Sequence, residues 1–187
     1  NVAIGSGTGD AITTATENTL VGKSAGTALT TGGGNTAIGT KAIQEHLTGI
    51  RNIAIGGYSM GDTNSGTTAQ DSDDNIFIGH VAGGGAWADV KSEYNVGIGN
   101  YVMDAVMNNT VLGANAGAGL TSKSYNTMIG QSAGQALSGG DGNNNLLGYG
   151  AGGLQVNGYQ NVAIGSLAWY GVSSVTNNSN YGVYVGN

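Results

Sequence analysis

The chain has 187 residues, 37 of them glycine, with no cysteine or proline and a net charge of −6 from five basic and eleven acidic side chains. Without cysteine there is neither a disulfide framework nor a thiolate metal site. This much glycine without a Gly-X-Y triplet excludes collagen, and 39% apolar content excludes a plain disordered linker. The cations Lys23, Lys41, Arg51, Lys91 and Lys123 are scattered, so no basic stripe exists to neutralise a phosphate backbone, which argues against nucleic acid as a partner. The longest apolar runs are too short for membrane insertion.

From the first residue onward one motif recurs: asparagine, three small or apolar residues, glycine. It reads Asn1-Val-Ala-Ile-Gly5, then runs from Asn18 to Gly22, Asn35 to Gly39, Asn52 to Gly56 and Asn75 to Gly79. It continues from Asn95 to Gly99, Asn109 to Gly113, Asn126 to Gly130, Asn144 to Gly148 and Asn161 to Gly165; a last copy, Gly182 to Gly186, lacks the asparagine. Motif starts are separated by 17, 17, 17, 23, 20, 14, 17, 18, 17 and 21 residues. So short a step cannot hold a helix pair, and it predicts one coil of a β-solenoid with two short strands and two corners. Residues 1–187 thus read as a single all-β solenoid or β-roll domain of about eleven coils with a quasi-17-residue repeat. Insertions fall at 62–74 and 83–94. The chain starts in phase with the repeat and without Met, which reads as a piece of a longer protein.

Within each motif the fourth position is Ile, Leu or Val in every copy, and the second is β-branched in all but Asn145. Two residues apart, they share a strand face, and the expectation is that both columns fill the interior. The third position (Ala3, Leu20, Ala37, Ala54, Phe77, Gly97, Val111, Met128, Leu146, Ala163, Tyr184) then faces outward. It holds no charge and no amide, so a strand buried on both faces is expected. A thin solenoid has no second layer, and identical chains around an axis are the simplest cover. An intertwined or side-by-side homotrimer is the expected assembly.

The fifth-position glycines (Gly22, Gly39, Gly56, Gly130 and Gly165 among them) are expected at positive φ or at a close backbone approach. The first-position residues Asn18, Asn35, Asn52, Asn126 and Asn161 are expected to stack in an amide ladder. Three residues past the glycine a small residue recurs, Ala in seven copies, often followed by Gly; large aliphatics such as Ile12, Leu29, Val106, Leu120 and Leu137 return near the eleventh offset and are expected to anchor the second strand.

The Asn-x-Ala-Ile-Gly-x-x-Ala-Gly pattern, clearest from Asn35 to Ala42 and from Asn126 to Gly134, resembles the repeat region of bacteriophage tail fibres. It is also similar to the β-roll head of trimeric autotransporter adhesins. The Thr/Gly-rich spacer from Thr27 to Asn35 is closer to the phage version. The resemblance implies a trimeric virion tail fibre segment that attaches to a host cell-surface glycan or protein; the alternative location is a bacterial cell surface.

Candidate sites fall in the irregular coils, because loops on a rigid scaffold carry function. Asp62, Asn64, Asp71, Asp73 and Asp74 offer hard oxygen ligands for calcium, at a spacing that fits neither an EF-hand nor a Gly-rich nonapeptide repeat; no other cofactor is expected. Trp87 and Tyr94, flanked by Asp89, Lys91 and Glu93, and the pair Trp169 and Tyr170 provide flat apolar faces beside polar groups for sugar rings, against the plainer expectation of packing. Asp89 with Glu93 is the only close carboxylate pair outside the acidic loop, so an enzyme is not expected, with a tailspike-like glycan hydrolase as the alternative. His46 and His80 fall at different offsets and read as exposed or partly buried side chains rather than metal ligands. The threonines are scattered over several offsets, unlike the flat array of an ice-binding solenoid.

Overall fold

The computed structural model describes residues 1–61, 71–84, 91–103, 108–120, 124–171 and 178–186. It is an all-β solenoid of about nine turns. Every motif forms a three-residue strand: β1 (Val2–Ile4), β2 (Thr19–Val21), β3 (Thr36–Ile38), β4 (Ile53–Ile55), β5 (Ile76–Ile78), β6 (Val96–Ile98), β7 (Thr110–Leu112), β8 (Thr127–Ile129), β10 (Asn145–Leu147), β12 (Val162–Ile164) and β14 (Val183–Val185). These stack in chain order into one eleven-stranded sheet, parallel throughout and in motif-to-motif register, as in Thr36↔Ile53 and Ala37↔Ala54. Strands this short cannot pair stably alone; the repeat supplies an identical neighbour on each side.

Among the described residues the second strand expected in every coil forms only near the C-terminus. β9 (Gly139–Gly142), β11 (Asn157–Tyr159) and β13 (Asn178–Asn180) make a three-stranded parallel sheet. In earlier coils the far wall is a series of bends still bonded coil to coil, as where Thr13 N–H donates to Thr30 O at 3.0 Å and Thr30 N–H to Leu47 O at 2.8 Å. Of the aliphatics expected to anchor a second strand, Leu29, Leu120 and Leu137 are fully buried from these bends; Val106 lies outside the described residues.

The amide ladder is present and buried. Each asparagine from Asn18 to Asn161 donates its backbone N–H to Oδ1 of the preceding asparagine, at 2.9–3.2 Å. The Nδ2 groups donate along the same column, and several also reach a far-wall carbonyl, such as Asn18 to Gly32 O at 2.9 Å and Asn35 to Gly49 O at 2.8 Å. In the copy without asparagine the backbone N–H of Gly182 takes the place, 2.9 Å from Asn161 Oδ1. The fifth-position glycines from Gly5 to Gly165 meet both expectations: φ lies between 123° and 143°, and a Cβ on Gly113 would stand 2.5 Å from the Gly130 carbonyl oxygen of the next coil; Gly186, in the last copy, meets neither.

The structure reverses the expected strand faces. The third position points inward, with Leu20, Ala37, Ala54, Val111, Met128, Leu146 and Ala163 at zero exposure, and the second and fourth positions point out. The asparagine dictates this: first and third positions share a face in a period-2 strand, so burying the ladder buries the third column. The interior is narrow, and its filling is reciprocal. Coils with a large third residue carry Gly at the ninth position (Leu20 with Gly26, Phe77 with Gly83, Val111 with Gly117, Met128 with Gly134, Leu146 with Gly152). After the first coil, where Ala3 goes with Gly9 and Ile12 lies against that glycine, coils with a small third residue carry a large ninth one (Ala37 with Ile43, Ala54 with Met60, Gly97 with Met103, Ala163 with Trp169). The two positions share one volume: a Cβ on Gly83 would lie 2.8 Å from the Phe77 ring.

Asn52→Ala would strip the Asn75 backbone N–H and the Asn35 carboxamide of ladder partners, and the Ser72 carbonyl of a donor. At about 1–3 kcal/mol for each buried group left unsatisfied, urea unfolding is expected to show a loss of about 3 kcal/mol or more. Phe77→Ala should cost about 3–5 kcal/mol as a core truncation. Adding Gly83→Met is expected to recover part of that loss, reproducing the Ala54–Met60 arrangement, whereas Gly83→Met alone should clash with the Phe77 ring and destabilise.

Candidate functional site

The corner leading into each strand presents a regular row of side chains. The residue before every ladder asparagine, and before Gly182 that takes the last place, is left-handed: Glu17, Arg51, Asp74, Tyr94, Asn108, Tyr125, Asn143, Gln160 and Tyr181 have φ of 56–63°, and Gly34 has 70°. This conformation is unfavourable for most non-glycine residues. It persists because the backbone is held on both sides. The residue's own N–H donates to the coil before, as from Tyr125 to Asn108 O at 3.0 Å, and the next N–H enters the ladder.

Of the expected calcium ligands, Asp62 and Asn64 lie outside the described residues. The other three each reach back to the preceding coil. Asp71 accepts from the Thr48 hydroxyl, Asp73 accepts from Ile50 N–H at 2.7 Å, and Asp74 forms a two-point pair with Arg51 at 2.6 and 2.7 Å. Lys91 joins Asp73 at 2.7 Å and Glu93 at 2.6 Å. The Arg51 hydrogen bonds hold the Asp74 carboxyl below its ordinary value, and those of Asp73 and Glu93 hold the Lys91 ammonium above its own. Among the described residues no three His, Asp or Glu side chains converge as a metal site. These carboxylates register the coil that follows the insertion against the coil before it.

The aromatic candidates do not form one site. Trp87, with its neighbour Asp89, lies outside the described residues. Tyr94 stands on the corner row, 59% exposed. Trp169 and Tyr170 sit four coils away on the opposite corner. Trp169 occupies the ninth position, packs on the core and stacks on Tyr184 with ring centroids 5.3 Å apart and planes 11° off parallel. Tyr170, 39% exposed, lies across Gly150 and Gly153.

Sequence reasoning missed a second aromatic row. On the corner after the strand, the Lys41 ammonium lies 5.4 Å from the Tyr58 ring centre, and His80 stands edge-to-face between Tyr58 and Tyr101 at 6.1 and 5.5 Å. The available signal was Tyr58 and Tyr101 at equal distance after Gly56 and Gly99. His80 is exposed, as expected, but His46 is not. It occupies the interior offset of Leu29, is fully buried, and desolvation lowers its pKa from 6.5 to about 4 against the opposing pull of Asp73 and Asp71.

The outward sheet face runs the length of the eleven-stranded stack. Its fourth-position column is entirely aliphatic, with Ile38, Ile98, Ile129 and Ile164 38–45% exposed, and runs roughly 50 Å at about 4.8 Å per strand. Fold and surface together define a parallel β-solenoid with one apolar face and polar-aromatic corners. No protein-family model, curated protein or solved structure matches the chain.

Because His46 binds a proton more weakly folded than unfolded, its neutral burial contributes stability that is complete above pH 6.5 and falls away as pH drops toward 4. The gap corresponds to about 3 kcal/mol. His46→Leu, which copies Leu29, is expected to flatten the fall in urea midpoint between pH 6.5 and 4; an unchanged slope would refute the assignment.

Proposed function

We propose that this chain is a structural segment of a phage tail fibre, assembled as a homotrimer through its outward sheet face and contributing to attachment at the host surface. The observation that carries the reading is the exposed aliphatic column on a rod whose interior is already filled. Contiguous apolar surface on a soluble protein marks an interaction site. This one is uncharged, flat and periodic, so another copy of itself matches it rung for rung. The three-fold count and the phage setting rest on the resemblance of the Asn-Thr-Ala-Ile-Gly repeats and their Thr/Gly-rich spacers. Three parallel rods present three copies of each corner row, and weak contacts then act together through effective concentration.

Sedimentation equilibrium is expected to return three times the 18.5 kDa chain mass. The double variant Ile38→Lys/Ile129→Lys, which places charge on the outward face without touching the core, should sediment as a monomer with unchanged circular dichroism. A parent protein that is monomeric at tens of micromolar would sink the proposal.

A further inference from the structure

We infer that the corner row from Tyr94 to Tyr181 is a binding strip for a neutral, extended polysaccharide lying along the rod. The inference rests on the attachment reading above and names the ligand chemistry for it.

Composition separates this row from the face beside it. None of its ten residues is aliphatic, whereas the adjoining sheet columns are dominated by Ile, Val and Thr. From Tyr94 onward the row reads Tyr94, Asn108, Tyr125, Asn143, Gln160, Tyr181: aromatic rings and amides, with no charge. Earlier in the row Arg51 and Asp74 neutralise one another at 2.6 Å, and the remaining charge, Glu17, stands four coils before Tyr94. A contact between copies would be served by aliphatic residues; a hydroxyl-rich chain needs flat apolar faces for its rings and amides for its hydroxyls. Absence of charge along the strip selects a neutral ligand.

Geometry supports the same occupant. Tyr94, Tyr125 and Tyr181 are 59%, 62% and 70% exposed, and Asn143 and Gln160 are exposed beside them. Tyr94 and Tyr125 are two coils apart, about 9.6 Å at the spacing of parallel strands, with Asn108 on the coil between. One sugar unit of an extended chain advances by about the length of one coil, so units over Tyr94, Asn108 and Tyr125 meet ring, amide and ring in turn, and the amides of Asn143 and Gln160 follow before the ring of Tyr181. Tyr181 is braced edge-to-face by Tyr159, with ring centroids 5.2 Å apart. The left-handed backbone at every step fixes where each side chain leaves the corner, so little ordering remains to be done on binding.

The test is native affinity electrophoresis in gels cast with hydroxyethylcellulose, galactomannan or a neutral bacterial O-polysaccharide. Tyr94→Asn and Tyr125→Asn suit it, because asparagine already occupies this row at the same φ in Asn108 and Asn143. At least one polysaccharide should retard the parent protein, each variant should weaken retardation roughly tenfold, equivalent to about 1.4 kcal/mol, and Tyr58→Ala and Tyr101→Ala on the opposite corner should leave it intact. The inference is overturned if no polysaccharide retards the parent, or if the two variants migrate as the parent does. Sedimentation of Tyr94→Asn and Tyr125→Asn separates this from the fibre reading. Variants that fall from trimer to monomer would make the row a seam between copies, ending the glycan assignment and leaving the fibre. A monomeric parent that is nonetheless retarded through these tyrosines would do the reverse.

Discussion

Everything in this solenoid depends on how closely one coil can sit on the next. Two columns set that distance. The asparagine carboxamide accepts the backbone N–H of the following asparagine, at 2.9 Å from Asn35 to Asn18, and the fifth-position glycine leaves room for the next coil's carbonyl where a side chain would stand. A three-residue strand has too few hydrogen bonds to hold its own register. The ladder holds it, bonding within the interior where an unmet amide is most costly, and the insertions leave it unbroken because each motif re-enters the same slot.

Once the coils are fixed, the interior has a nearly constant cross-section, and the reciprocal sizes at the third and ninth positions follow. Close-packed interiors tolerate neither a void nor an overlap, so Phe77 requires Gly83, and Ala54 requires Met60. His46 is the exception in kind, a titratable ring placed where Leu29 sits one coil earlier, and its lowered pKa reflects that dry setting. With the inside filled by the asparagine ladder and the third- and ninth-position side chains, the β-branched residues of the strand have only the outside left. The exposed aliphatic face is a consequence of a narrow core.

The corners divide the remaining labour. Left-handed backbone before each strand throws a row of side chains clear of the rod, and the same geometry after the strand carries Tyr58 and Tyr101, with His80 standing between their rings. The acidic residues at the end of the first insertion serve as registration, tying Asp71, Asp73 and Asp74 to Thr48, Ile50 and Arg51. The rod has one apolar face and two decorated corners, and its irregular coils vary the decoration without disturbing the stack.

Periodicity alone determined the class of fold, the strand positions, the buried asparagine ladder and the left-handed glycine column, because these are properties of each coil and its identical neighbour. Which face points inward was also in the sequence, in the shared parity of Asn35 and Ala37, but the uniform Ile column looked more like a core than the mixed third one. Only the tertiary structure decided it, since core size depends on both walls of the coil at once. The same holds for the second sheet, confined to the last coils, and for the meeting of Tyr58 with His80. Those contacts join residues more than 20 positions apart across an insertion, and only the stacked coils decide which side chains share a corner.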